Sequence, residues 1–157
     1  MLVMVTLRKA GLSDIPGLAE IDRFGEELNS FSGLDALDPH HEKDTGPTYC
    51  ETFIRGKRKW CYLAEDDGQM VGFILFNIER RPSYYQIKEI GYIDLFRVIP
   101  EKRKKGIGRM LFEAARDVLA EEGIRYLKLS VHTDNEAREA WERIGFQEYR
   151  VDMWREV

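Results

Sequence analysis

The sequence has few of the residues that build disulfide frameworks and metal centres. It contains two cysteines and three histidines, and Cys50 and Cys61 follow no metal-ligand spacing. This scarcity argues against a disulfide-rich secreted scaffold and against a zinc-binding domain. The chain does not open with a cleavable signal pattern, and its apolar runs are too short to span a membrane. We therefore expect a cytoplasmic protein with neither a metal cofactor nor a membrane partner.

Strong charge of one sign is also missing. The formal net charge is -4, which argues against a general nucleic-acid binder. Hydrophobic residues make up 43% of the chain and charged residues 33%, a balance typical of globular domains. At 157 residues the chain has the length of one domain, so we expect a single domain over residues 1–157.

Hydrophobic periodicity and turn residues predict an alternating α/β chain. Helices are predicted after a Ser13 N-cap and over 48–54, 107–122 and 133–144, the last with the capping-box spacing of Thr133 and Glu136. A loop is expected over 29–46. Strands are predicted over 2–10, 60–64, 70–78, 86–98, 126–131 and 146–154, with a hairpin turn at Asp66-Asp67-Gly68. This order favours a mixed sheet with helices on its faces.

The stretch EKRKKGIGRM, residues 101–110, carries the clearest functional signal. It holds five basic residues and lies between a predicted strand and a predicted helix. A helix N-terminus offers unpaired N–H groups to an anion, and Gly106 and Gly108 would let a phosphate approach the backbone. The nucleotide P-loop fails at Arg109 and Met110, and the dinucleotide fingerprint fails at Leu111. A tight strand-to-helix turn with solvated lysines remains the alternative.

Several stretches together resemble one enzyme family. RKKGIG, residues 103–108, resembles the R/Q-x-x-G-x-G/A signature of the GNAT superfamily of N-acetyltransferases. FRVIPEKRKKGIGRMLFEAA is similar to the strand-Val-x-Pro-loop-helix unit around that signature, and YLAEDDGQMVGFILF resembles the family's central hairpin. DNEAREAWERIGF and SDIPGLAEID resemble its late helix and its first helix. The resemblance runs through most of the chain in the family's order.

The resemblance implies a fold and a co-substrate. The fold is a mixed, mostly antiparallel sheet, splayed between strands 4 and 5, with helices on both faces and acetyl-CoA pantetheine in the gap. Residues 96–98 would pair with the pantetheine, backbone amides of residues 103–109 would hold the pyrophosphate, and Asn135 would contact the cofactor arm. The implied cofactor-binding residues are Phe96, Arg97, Val98, Arg103, Lys104, Lys105, Gly106, Ile107, Gly108, Arg109 and Asn135. Lys104 departs from the family, which usually has glycine there.

Asp94 is the candidate general base. Strand alternation would place it in one row with Ile90, Tyr92, Phe96 and Val98, as the only carboxylate among mostly apolar side chains. Apolar surroundings disfavour the charged form of a carboxylate and make it a stronger base. The resemblance adds that several family members carry an acid at this position. Two alternatives stay open: an aspartate satisfied by a nearby arginine or amide, and an aspartate turned to solvent by a bulge.

The general acid has no obvious candidate. The family's usual tyrosine acid falls at Trp141, whose indole N–H does not titrate, so Trp141 is expected to pack in the core. Tyr149 or Tyr92 could replace the tyrosine, or the thiolate could leave without an acid. The protein could also bind acyl-CoA without turnover, as a sensor or interaction domain. An NTP- or RNA-binding module is the third hypothesis, and the missing Walker residues and net acidity argue against it.

The acceptor is predicted from charge alone. In this fold it lies against the first two helices and their loop, a region rich in acidic residues that includes Glu26 and Glu27. With Tyr92, these form the candidate acceptor site. An acidic site suits a cationic amine, such as a polyamine, a lysine side chain or a protein N-terminus, although a solvated acidic face has the same composition. A homodimer remains open at this point.

Overall fold

The architecture is a five-stranded mixed sheet. A computed structural model of the chain describes residues 4–28 and 45–157, with side chains described for residues 4–22 and 49–157. The strands are β1 (Val5–Lys9), β2 (Lys59–Asp66), β3 (Gln69–Arg80), β4 (Glu89–Val98) and β5 (Leu127–Leu129), and they lie in that order across the sheet. β1 to β4 pair antiparallel, whereas β4 and β5 pair parallel. This arrangement confirms the predicted mixed, mostly antiparallel sheet.

The helices cover both faces of this sheet. They are α1 (Ile15–Leu28), α2 (Thr45–Arg55), α3 (Ile107–Glu121) and α4 (Ala137–Arg143). A short 3₁₀ turn, Leu12–Asp14, precedes α1, so the helix begins later than a Ser13 cap would place it. The predicted loop falls on residues 29–44, which lie outside the described residues, and Thr45 already begins α2. Within the described ranges, no helix is long and apolar enough to cross a membrane.

Each face of the sheet has its own apolar core. α3 packs Ile107, Leu111, Ala115 and Leu119 against side chains such as Ile74 from one face of the sheet. The opposite face is covered by α1 and α2, and their contributions to the core are Leu18, Ile21, Cys50 and Phe53. Cys50 and Cys61 lie together in this second core as buried, free thiols. Burial raises the pKa of Cys50 to about 11 and that of Cys61 to about 12.

The central hairpin was predicted correctly. β2 and β3 pair from Lys59↔Asn77 to Asp66↔Gln69, and only Asp67 and Gly68 lie between them. Both turn residues have positive φ angles, +51° at Asp67 and +78° at Gly68. Two consecutive positive φ angles define a type I′ turn, whose twist matches that of the paired strands.

Two predictions near the C-terminus were wrong. The segment 146–154 was expected to form a strand, but residues 146–157 form neither helix nor strand in the structure. α4 begins at Ala137 rather than at Thr133, and the Thr133–Glu136 capping box does not form. Instead Asn135 Oδ1 accepts a hydrogen bond of 2.9 Å from the Ala137 N–H. This bond satisfies the first N–H of α4 from the residue that precedes the N-cap, Glu136.

Candidate active site

The sheet opens between β4 and β5. The two strands pair only at Gly91↔Leu127, Tyr92↔Lys128 and Ile93↔Leu129. β4 then continues to Val98 with β3 on one side and no partner strand on the other within the described residues. The free edge over residues 94–98 confirms the predicted splay between strands 4 and 5. A free strand edge presents N–H and C=O groups that an extended ligand could pair with.

A β-bulge lies where the sheet opens. In the β3–β4 ladder Leu75 pairs with Leu95 and Phe76 pairs with Ile93, so Asp94 is an extra residue in β4. The extra residue reverses the alternation of side chains beyond it. Phe96 therefore joins Ile93 in the core under α3, whereas Leu95 lies in the core under α1 and α2.

The bulge corrects the predicted row of side chains on β4. Tyr92 and Asp94 face the α2 side of the sheet, while Phe96 and Val98 face α3. Asp94 is therefore not one carboxylate in an apolar row. It lies partly exposed at the bulge, which is one of the alternatives that the sequence left open.

Asp94 accepts a short hydrogen bond from the hydroxyl of Tyr49, which α2 contributes. Tyr49 is 44% exposed, and its ring packs against Phe53 one helical turn later. Burial, followed by the hydrogen bond to Asp94, raises the pKa of the Tyr49 phenol well above its ordinary value. The phenol therefore stays protonated through neutral pH and donates to the carboxylate. Sequence analysis missed this pair because its two residues lie 45 positions apart.

Tyr92 lies beside this pair. Its hydroxyl is 3.4 Å from the Ser130 Oγ, and the Lys128 Nζ lies 5.5 Å from the centroid of its ring. Because Ile93 between them packs in the core under α3, Tyr92 and Asp94 lie on the opposite side of the sheet. The side chains of Glu26 and Glu27 lie outside the described residues, so the structure locates only their backbone, in the last turn of α1.

The basic stretch forms the turn from β4 into α3. A 3₁₀ turn, Pro100–Lys102, follows the strand, and Gly106 caps α3 with a φ of +85°. Lys104 also has a positive φ, +60°, which costs an L-residue about 1–2 kcal/mol. Residues 103–106 are exposed, and the first N–H groups of a helix have no partner within it. This turn therefore presents an exposed helix N-terminus to solvent.

The two glycines of this turn have different roles. A Cβ added to Gly106 would meet nothing within 4 Å, so its glycine is required by the positive φ and leaves open space for an anion. A Cβ added to Gly108 would lie 2.7 Å from the Phe96 Cζ. The missing side chain at Gly108 makes room for the Phe96 ring, a reason for glycine that the sequence did not predict. Gly108 serves the packing of α3 against β4.

Only part of the basic charge is free to meet an anion. Lys102 pairs with Asp66 at 2.8 Å, and Arg109 pairs with Glu113 at 3.0 Å. Arg103 donates from Nε to the Val98 carbonyl at 3.0 Å, which fixes the end of β4. Lys104 and Lys105 are exposed and have no carboxylate partner among the described side chains.

Two other predicted cofactor residues are engaged elsewhere through their side chains. Arg97 points toward α1, where its Nε lies 3.4 Å from the Asp22 Oδ1, so only its backbone faces the free edge of β4. The Oδ1 of Asn135 accepts the hydrogen bond from the Ala137 N–H at the start of α4. A contact from Asn135 to a ligand would therefore use its side-chain NH₂ group. In the part of the chain with described side chains, no three His, Cys, Asp or Glu residues cluster in a way that could hold a metal ion.

Comparison with known proteins identifies this arrangement. Residues 23–146 match the model of the Acetyltransferase (GNAT) family. The chain belongs to the GNAT family of acetyltransferases. It is an N-acyltransferase that takes its acyl group from acetyl-CoA, as the resemblance of its motifs implied.

Individual relatives agree with this assignment. The chain is 30% identical to the uncharacterized N-acetyltransferase YhfO of Bacillus subtilis over 92% of this chain and 91% of the relative. It is 28% identical to a mycothiol acetyltransferase of Streptomyces griseus, over 73% of this chain but only 37% of that longer protein. A predicted acetyltransferase of Clostridium acetobutylicum, solved with acetyl-CoA, has the same fold, with a TM-score of 0.78, 21% identity, and coverage of 98% of this chain and 96% of that one.

This GNAT enzyme departs from its family at two positions. Position 104 adopts a positive φ, so the lysine that replaces the usual glycine carries backbone strain. Trp141 packs edge-on against Phe96 at 5.4 Å, Phe112 at 5.9 Å and Phe146 at 5.5 Å between ring centroids. Trp141 thus has the core-packing role that the sequence predicted. Tyr149, one of the proposed replacement acids, is 66% exposed on the C-terminal segment.

Proposed function

We propose that this GNAT enzyme acetylates a primary amine by direct attack, with Asp94 as the general base. The observation that carries the proposal is the position of Asp94, on the bulge where β5 leaves β4. Its carboxylate is partly exposed and faces α2, on the side of the sheet opposite α3. In the reaction the neutral amine nitrogen bonds to the acetyl carbonyl carbon, the carbon–sulfur bond breaks so that CoA leaves as its thiolate, and the amine proton passes to Asp94.

The same geometry supports a binding mode for the co-substrate. The pantetheine arm would pair with the free edge of β4 over residues 96–98. The pyrophosphate would lie at the N-terminus of α3, held by the backbone amides of residues 103–109 and by Lys104 and Lys105. Helix N-termini favour anions because their N–H groups and dipole both point toward the ligand. The side chain of Ile107 takes no part, since it is buried in the core under α3.

The proposed acceptor is a cationic amine, such as a polyamine, a lysine side chain, a protein N-terminus or a small amine. Glu26 and Glu27 at the end of α1 would attract its charge, and Tyr92 would lie beside the reacting nitrogen. Asp22, one turn earlier in α1, already pairs with Arg97 and adds less net charge. The two free, buried thiols support a reducing compartment, which we propose is the cytoplasm.

The proposal is tested by release of CoA with a panel of amines. A disulfide reagent detects the released thiol, and a calorimetric titration measures acetyl-CoA binding in parallel. We expect cationic acceptors to give turnover. Amines that carry no positive charge besides the reacting nitrogen should give much less. Cys50 and Cys61 do not disturb the assay, because burial raises the pKa of both thiols far above neutrality. Tight acetyl-CoA binding without release for any amine would contradict amine acetylation and favour a sensor.

Tyr49 is proposed to position Asp94. Replacing Tyr49 with phenylalanine removes the hydroxyl that donates to the carboxylate. A hydrogen bond to a charged group contributes about 1.5–3 kcal/mol, so kcat is expected to fall about tenfold or more. The KM for acetyl-CoA should stay unchanged, because Tyr49 lies on α2, on the face opposite the α3 N-terminus.

The pH dependence gives this variant a second readout. The pKa of Tyr49 is raised by burial and by Asp94, so its contribution is complete below the ordinary phenol pKa of 10.0. The contribution is lost only as the pH rises through the higher, folded-state value. Ultraviolet titration of wild type minus Tyr49→Phe should therefore show one phenol that ionises above pH 10.0. A difference curve centred at or below that pH would mean that the pair does not form in solution.

A further inference from the structure

A lysine lies on the acceptor side of the sheet, close to Asp94. Leu127 and Leu129 of β5 pack in the core under α3, so Lys128 between them faces the opposite side. Lys128 pairs in register with Tyr92 of β4, and its Nζ lies 5.5 Å from the centroid of the Tyr92 ring. Asp94 follows Tyr92 by two residues on the same side, which is about 7 Å along a strand. The side of the sheet that carries the candidate base therefore also carries a cation.

Two hydroxyl groups lie beside this cation. Tyr92 donates its hydroxyl hydrogen to the Ser130 Oγ at 3.4 Å, a long and therefore weak hydrogen bond. Ser130 is exposed, and as the acceptor of that bond it keeps its own hydroxyl hydrogen as a donor. The ammonium group of Lys128 adds three N–H donors. We call Tyr92, Lys128 and Ser130 the β5 patch. It combines positive charge with several hydrogen-bond donors, which is the combination that binds a carboxylate.

Glu79 of β3 holds the cation of the β5 patch only loosely. Its Oε2 lies 3.8 Å from the Lys128 Nζ, which is beyond the usual length of a hydrogen bond. The two side chains are 26% exposed at Lys128 and 38% exposed at Glu79, so solvent screens the pair. Lys128 can therefore turn its N–H groups toward an incoming carboxylate without losing a strong hydrogen bond.

We propose that the β5 patch binds a carboxylate of the acceptor, so that the acceptor is a free basic amino acid such as lysine or ornithine. This inference rests on the proposed acetylation at Asp94 and narrows its acceptor. An amine at Asp94 and a carboxylate at Lys128 would lie no more than about 7 Å apart, a distance that a single amino acid spans. The second amino group of the acceptor would be attracted by the acidic residues at the end of α1.

The charge of the β5 patch also disfavours competing acceptors. A polyamine has the cationic groups of a basic amino acid but no carboxylate, so it would place a second cation near Lys128 and be repelled. Specificity of this kind combines an attractive contact to the correct ligand with a repulsive contact to the wrong one. Free basic amino acids should therefore be better acceptors than polyamines of the same length.

The experiment compares free lysine with cadaverine, which is lysine without its carboxylate. CoA release with each amine gives kcat and KM. We expect kcat/KM to be at least about tenfold higher for lysine, as one charge-assisted hydrogen bond would give. The difference should lie mainly in KM, because the β5 patch contacts a part of the acceptor that does not react. Equal kcat/KM values, or a higher value for cadaverine, would overturn the proposal.

Variants of the patch assign the preference to Lys128. Lys128→Met removes the charge but keeps the length of the side chain, so the KM for lysine should rise about tenfold or more while that for cadaverine does not rise. Glu79→Gln leaves Lys128 in place and removes its competing carboxylate, so the KM for lysine should fall about two- to fivefold. Lys9→Met is the matched control, because Lys9 is exposed on β1 at the opposite edge of the sheet. It should leave both KM values unchanged.

Failure of this inference differs from failure of the proposed function. If cadaverine and lysine are acetylated equally well, or if the preference for lysine survives Lys128→Met, amine acetylation stands and the carboxylate site is overturned. If no amine releases CoA, acetylation fails, and binding then decides about the patch. Lysine titrated calorimetrically into the enzyme saturated with CoA should bind the wild type at least about tenfold more tightly than Lys128→Met. Equal affinities would overturn the carboxylate site in that case too.

Discussion

Asp94→Asn is expected to lower kcat by about 10²- to 10⁴-fold, the usual contribution of a general base. Asparagine keeps the size of the side chain and can still accept a hydrogen bond from Tyr49, but it cannot take a proton from the amine. The fold around the bulge should therefore survive. Steady-state CoA release with the best acceptor of the amine panel measures the effect.

Binding separates this role from a structural one. Asp94 faces α2, while the proposed phosphate site lies at the start of α3, so the acetyl-CoA dissociation constant should change less than about twofold. Asp117→Asn is the matched control, because the Asp117 side chain is 67% exposed on α3. It should leave kcat and the acetyl-CoA dissociation constant unchanged. If Asp94→Asn keeps the wild-type kcat, Asp94 is not the general base. The same conclusion follows if turnover falls only as much as acetyl-CoA binding does.

Gly108→Ala is expected to lower the free energy of unfolding and also to weaken acetyl-CoA binding. The new Cβ would lie 2.7 Å from the Phe96 Cζ, and Trp141 packs against the same ring at 5.4 Å between centroids. The ring is thus held from a second side and cannot move away freely. Overpacking of this kind costs about 1–3 kcal/mol. Chemical denaturation should show that loss in the free energy of unfolding.

The binding effect follows from the same contact. Phe96 lies on the free edge of β4 and Gly108 lies in the first turn of α3, so the added methyl group pushes apart the two elements of the proposed co-substrate site. We expect acetyl-CoA binding to weaken measurably in a calorimetric titration. In a Phe96→Leu background, Gly108→Ala should cost less than in the wild type, because the smaller side chain leaves room for the methyl group. Equal costs in both backgrounds would show that the contact with Phe96 is not responsible.

The sequence predicted local features well and long-range ones poorly. The hairpin at Asp67-Gly68 was correct because its turn residues and its apolar alternation agree within one short stretch. The prediction of an exposed helix N-terminus at Gly106 was correct, because a strand, glycines and a helix follow one another directly in the sequence. The splay between β4 and β5 and the GNAT family came from resemblance rather than from any pattern in the residues.

The errors have physical causes that a single stretch of sequence does not contain. The bulge at Asp94 depends on how β4 aligns with β3, and KEIGYIDLFRV alternates acceptably with or without it. Tyr49 meets Asp94 only after α2 packs on the sheet. The role of Gly108 depends on a ring twelve positions earlier in the chain. The segment 146–154 has real strand propensity, but a strand also needs a neighbour.

The bulge gives β4 one residue more than its ladder with β3 needs. Because Asp94 is this extra residue, it reverses the alternation, and Tyr92 faces α2 while Phe96 faces α3. Deleting Asp94 would leave Ile93 and Leu95 adjacent and paired with Phe76 and Leu75, so the alternation would become regular and the flanking side chains would keep their faces. Substitutions along β4 can thus alter the acceptor side or the co-substrate side separately. A homologous strand that is one residue shorter at this point could therefore keep the packing of both faces, but it would lack the carboxylate that the bulge presents.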